Sequence, residues 1–98
     1  VCKTSCHKTK HRDEKEYKDL INRLSRIEGQ IRGLKSMIES DAYCPDILVQ
    51  ASATAAALNS FSRVLLSNHI KSCVVDDIRD GRDEVVDELV NTLQKMMR

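Results

Sequence analysis

Residues 69 to 73 read His-Ile-Lys-Ser-Cys, an imidazole and a thiol four positions apart in a stretch with helical patterning. On an α-helix that spacing stacks both side chains on one face, about one turn apart. Together they can hold a soft metal ion, but two ligands are too few to hold it tightly, and no second His-Cys pair follows. A further thiol, Cys44, stands next to Pro45 at the start of the same predicted helix. At a rise of ~1.5 Å per residue the two ends of that helix lie on the order of 37 Å apart, so one chain cannot bring the three side chains together. An antiparallel pairing with a second copy can, because the start of one helix then lies beside the end of the other. The result is two sites per dimer, each with two thiolates and one imidazole. Three soft donors suit Cu(I) better than Ca²⁺, Mg²⁺ or octahedral Ni²⁺, and zinc usually recruits a fourth ligand. Taken singly, a His or Cys continuing an apolar stripe is more often a core residue, since Cys is among the most buried types. The joint placement of Cys44, His69 and Cys73 is what argues for metal.

A second ligand set, Cys2, Cys6, His7 and His11, lies in the N-terminal CxxxCHxxxH. Its spacing fits no zinc-finger pattern, so its expected role is auxiliary, adding ligands to the main site or passing metal to it. Residues 1–12 have no apolar periodicity and are expected to form a mobile tail.

The elements that must position these groups follow from periodicity. From about Asp13, residues Leu20, Leu24, Ile27, Ile31, Leu34 and Ile38 recur at steps of four and three, which predicts a long helix with one apolar stripe. Gly29 and Gly33, four apart within it, allow close approach of another helix. Pro45 then ends that helix and suits the first position of the next. The second helix carries Leu48, Ala51, Ala55, Leu58, Ser62, Leu65 and His69 on one face, and the same count continues to Cys73. Asp80-Gly81 marks its stop, and a last helix from about Asp83 carries Val85, Val86, Leu89, Val90, Leu93, Met96 and Met97. No segment alternates with period two, so the predicted fold is all-α, with three helices in one domain over residues 13–98.

Composition bounds the rest. A chain of 98 residues with only 3% aromatic side chains must build its interior from aliphatic groups. Helices with one apolar stripe each need partners to cover them, so oligomerisation is expected. No run approaches the ~20 apolar residues of a membrane span. Free thiols without a secretory leader suggest a reducing cytoplasm, where such cysteines serve metal or redox chemistry. Residues 1–40 carry ten Lys or Arg against six Asp or Glu, whereas residues 76–98 carry four against seven, so the front of the chain is the side expected to meet an anion.

The stretch RLSRIEGQIRGLKSMIESDAYCPDILVQASA, residues 23–53, together with LLSNHIKSC, residues 65–73, resembles the copper-sensing operon repressors of the CsoR/RcnR-like family. The likeness runs from about residue 17 to residue 97, and the pairing of DAYC with HxxxC is that of the Cu(I)-sensing branch. The resemblance implies an antiparallel four-helix-bundle dimer, usually a dimer of dimers. It also implies a cytoplasmic repressor that binds operator DNA without metal and dissociates when Cu(I) binds across the dimer interface, one ion per chain. By motif position Cys44 comes from one protomer and His69 and Cys73 from the other, with Tyr43 and Glu88 supporting the ligands. The implied DNA face is a basic surface on the first two helices containing Arg23 and Arg63. Ser60 stands where some relatives have another basic residue, which shifts weight to Lys18, Arg26 or the tail.

Alternatives on the same residues are a thiol or persulfide sensor using Cys44 and Cys73, and a Ni(II) or Co(II) sensor if His7 or His11 joins the site. A metal-storage or metal-transfer protein that never touches DNA is a third. An enzyme is not expected, because there is no glycine-rich phosphate loop and no nucleophile–base–orienter set.

Overall fold

The computed structural model describes residues 12–97 of the chain, and every regular element among them is helical. The first helix, α1, runs Glu14–Glu39. It starts at Asp13, whose extended backbone turns the side chain onto the helix end, where Oδ1 accepts the Glu16 N–H at 2.7 Å. Such a cap stabilises a helix by about 1 kcal/mol. Glu14 and Glu16 in the first turn complement the helix dipole. Of the expected stripe, Leu20 and Ile27 are buried, Leu24 and Leu34 are half-buried, and Ile31 and Ile38 remain exposed.

What stops α1 is Asp41. Its N–H bonds to the Ile38 carbonyl and that of Ala42 to the Met37 carbonyl, with Asp41 in the left-handed region at φ 57°. This is a Schellman closure, with Asp where glycine is usual. Pro45 acts one element later: α2 spans Cys44–His69, and the Tyr43 carbonyl accepts the N–H of Asp46 and of Ile47. Tyr43 therefore takes the cap position, Cys44 is the first helical residue, and Pro45 follows in the first turn, one place later than expected.

The helical path does not end at His69. A π-helical turn occupies Ile70–Val74, where the Val75 N–H reaches back five residues to the Ile70 carbonyl, and a short α-helix, α3, continues over Val75–Arg79. Gly81, at φ 84°, closes α3 with the same Schellman pattern, the N–H of Gly81 and Arg82 bonding to the Ile78 and Asp77 carbonyls. The last helix, α4, spans Glu84–Met96.

Two compact units result, one over Arg12–Leu65 and one beginning at Leu66. In the first, α1 and α2 form a hairpin whose facing residues, Arg23, Arg26, Ile27 and Gln30 against Ala57 and Ser60, line one cleft of about 300 Å³. In the second, Cys73, Val74, Asp77 and Val85 are buried. Asp77, 1% exposed, accepts Arg82 Nη1 at 3.4 Å and ties α3 to the turn before α4. Large apolar side chains stay exposed in both units, among them Ile38, Leu48, Leu58, Val86 and Val90. A monomer rarely leaves this much apolar surface wet, which fits a chain that assembles.

Candidate metal centre

His69 is the last residue of α2, half-buried, and Cys73 lies four residues on inside the π turn with its side chain fully buried. The expectation of an unbroken α-helix through both is corrected by that turn. A π turn takes in one extra residue, so groups beyond it rotate by about 100° relative to uninterrupted α register. Within the turn, Ser72 Oγ donates to the Asn68 carbonyl at 2.7 Å and lies 3.8 Å from Cys73 Sγ. The Cys73 sulfur is engaged in a disulfide, so it becomes a metal ligand only on reduction.

Cys44 sits at the opposite end of α2 as a free, exposed thiol. Tyr43 beside it is 72% exposed, and Glu88 projects from α4 as an exposed carboxylate. Among the described residues no three His, Cys, Asp or Glu side chains cluster closely enough to hold a metal ion. Cys2, Cys6, His7 and His11 lie outside the described residues. By donor type, His69, reduced Cys73 and Cys44 fit a soft monovalent ion, but His69 and Cys44 lie at opposite ends of one 26-residue helix.

The cationic residues expected on a DNA face all fall in the first unit. Arg63 and Arg26 are exposed. Arg23 is half-buried and pairs with Asp19 at 3.0 Å, and Lys18 pairs with Glu14 at 2.9 Å, both one turn apart on α1. Such pairs contribute about 0.3–0.5 kcal/mol to a helix, little enough for a phosphate to displace them. Ser60 and Gln30 share the cleft with Arg23 and Arg26, and the Gln30 Oε1 is buried without a hydrogen-bond partner among the described residues.

The sequence reading missed the π turn, Ser72 and the buried Asp77. For Asp77 a signal was present: the four-residue count Leu65, His69, Cys73 continues to Asp77, a carboxylate on the stripe. For the π turn no signal was present, since its residues are also compatible with an α-helix.

Residues 16–95 match the family model of the metal-sensitive transcriptional repressors. The chain is 45% identical, over 94% of its length and 93% of the relative's, to the copper-sensing transcriptional repressor CsoR of Bacillus subtilis strain 168. Among solved structures it is similar to the copper-sensing repressor CsoR with Cu(I) from Geobacillus thermodenitrificans NG80-2, at TM-score 0.87 and 40% identity over 90% of this chain and 93% of that one. It is also similar to the nickel-responsive transcriptional regulator InrS, at TM-score 0.71 and 37% identity over 80% and 89%. The chain belongs to the metal-sensitive transcriptional repressor family.

Proposed function

We propose that this chain is a Cu(I)-responsive repressor that binds operator DNA without metal and releases it when Cu(I) binds, derepressing copper-resistance genes. The observation that carries the reading is the placement of three soft donors at opposite ends of α2, Cys44 at its first turn and His69 with Cys73 at its far end. Two copies with antiparallel α2 helices would give each site Cys44 of one and His69 and Cys73 of the other, one Cu(I) per chain. The similarity to copper-sensing repressors supports the metal. The donor set favours Cu(I) over Ni(II), which prefers more ligands and harder ones.

The roles of the remaining residues belong to the same proposal. His69 would use one ring nitrogen as ligand and offer the other to Tyr43 or Glu88, which sets its tautomer. Arg23, Arg26, Arg63 and Lys18 would neutralise DNA phosphates on a cytoplasmic homodimer or dimer of dimers, with the domain of residues 13–98 acting as one reader. The tail set Cys2, Cys6, His7 and His11 would add or deliver metal. Because the ligands of each site come from two chains, metal occupancy biases how the chains sit together. DNA affinity would then change by a coupling of about 1–3 kcal/mol.

The test is an anaerobic titration of fully reduced protein with Cu(I) while its binding to its own promoter DNA is followed. Release at one Cu(I) per chain, lost in Cys44→Ala, is the expected result. Tight Cu(I) binding with unchanged DNA affinity would make the chain a storage or transfer protein. One second reading on the same residues is a thiol switch using Cys44, a free and exposed thiol, and Cys73. Its signature is DNA release by persulfide with no response to Cu(I).

A further inference from the structure

We propose that Ser72 is a positioning residue for the metal site, holding the π turn that carries Cys73. The proposal rests on the reading of His69 and Cys73 as metal ligands. The ligand pair straddles a change of helical ladder: His69 ends an α-helix, while Cys73 lies where the backbone bonds to the fifth residue back. A π turn is rare in helices and is frequently found at functional sites. Two residues before this turn, the Asn68 carbonyl of α2 accepts a 2.7 Å bond from the hydroxyl of Ser72, which lies inside it.

That bond has two counterparts elsewhere among the described residues. Thr54 donates to the Gln50 carbonyl at 2.9 Å and Thr92 to the Glu88 carbonyl at 3.0 Å, both in helices that keep α geometry. A back-bonding hydroxyl therefore does not create a π turn by itself. It strengthens one carbonyl's bonding where the ladder switches, and Ser72 does so next to a candidate ligand, its Oγ 3.8 Å from Cys73 Sγ. Without the hydroxyl, the segment loses the bond that holds the Asn68 carbonyl where the ladder switches and relaxes toward α register. Cys73 then rotates about the helix axis relative to His69, and the pair no longer presents the same separation to one ion.

The experiment compares fully reduced wild type, Ser72→Ala and Ser72→Thr. It reads Cu(I) affinity by chelator competition, the near-ultraviolet thiolate-to-copper absorption, and far-UV circular dichroism of the metal-free proteins. Ser72→Ala is expected to fold, to bind Cu(I) about tenfold more weakly and to change the absorption band, while Ser72→Thr, which keeps the hydroxyl, stays within about twofold of wild type, a loss on the scale of disturbed ligand support. A band and affinity unchanged in Ser72→Ala would overturn the assignment, as would equal loss in both variants. If Ser72→Ala fails to fold, Ser72→Thr decides: wild-type affinity and band keep the assignment, and a tenfold loss with normal circular dichroism removes it. Failure of the wild type to bind Cu(I) at all is a different result and refutes the metal reading beneath it.

Discussion

Two defective chains should repair one another. A Cys44→Ala chain keeps His69 and Cys73 but lacks the thiol at the start of α2, and a Cys73→Ala chain keeps Cys44. If each site is shared across an antiparallel pair of α2 helices, a mixed dimer holds one complete site, with Cys44 from the second chain and His69 and Cys73 from the first. Its other site lacks both thiols. Random pairing of equal amounts gives the three dimers in the proportion 1:2:1, so half the dimers carry one site instead of two. The mixture should bind tightly about a quarter of the Cu(I) that wild type binds, the signature of an isologous two-fold interface. The factor follows from the fold, because α2 runs 26 residues between Cys44 and His69 and no single chain can close the site on itself. The assay is anaerobic titration of reduced, co-refolded chains against a Cu(I) chelator chosen to outcompete two-ligand sites. Each parent alone should register no tight site. A mixture that binds no more than its parents would refute the shared site, and tight binding by either parent alone would remove that cysteine from the ligand set.

The remaining predictions concern the elements that carry the site. Asp41→Gly should raise the melting temperature by about 2–4 °C and Gly81→Ala should lower it by about 4–8 °C, since a side chain in left-handed backbone costs about 1–2 kcal/mol and Asp, with Asn, is among the side chains that tolerate that region. Calorimetry at one fixed protein concentration checks both, and shifts of the same sign would contradict the closure assigned to these turns. Asp19→Asn frees Arg23 from its 3.0 Å partner and should tighten DNA binding several-fold at low salt. Arg63→Ala should reduce the slope of log affinity against log salt by about 1; measurements across a salt series decide both. Gly33→Ala meets no atom within 4 Å of the added carbon in this chain, so it should stabilise an isolated hairpin by about 1 kcal/mol. If a second copy packs on that face, size-exclusion chromatography will show weakened assembly instead.

How much of this was legible in the sequence depended on whether the signal was local and periodic. The long helix from about Asp13 and the Asp80-Gly81 stop appear where their spacing puts them, because period and left-handed glycine act within one turn of themselves, although of the stripe only Leu20 and Ile27 are buried. Asp41 was missed because Pro45 offered a more familiar reason for the break, yet the proline sits inside the first turn of α2 and terminates nothing. The π turn was missed for a deeper reason: α and π ladders differ by one hydrogen-bond step, and Ile-Lys-Ser-Cys-Val accommodates both. Cys44 and His69 do lie at the two ends of α2, but spacing rules assume an α-helix, and that assumption fails between His69 and Cys73. The position four residues beyond Cys73 shows the same gap. Asp77 continues the apolar count yet is a buried carboxylate held by Arg82, a residue that sequence separation alone would place on the next loop. The last turns of the helical path thus combine a changed ladder, a buried sulfur at Cys73 and a buried carboxylate at Asp77, the last paired with the half-buried Arg82. A carboxylate taken out of water carries a desolvation cost that only close pairing offsets, which is why Asp77 and Arg82 are expected to act as one unit.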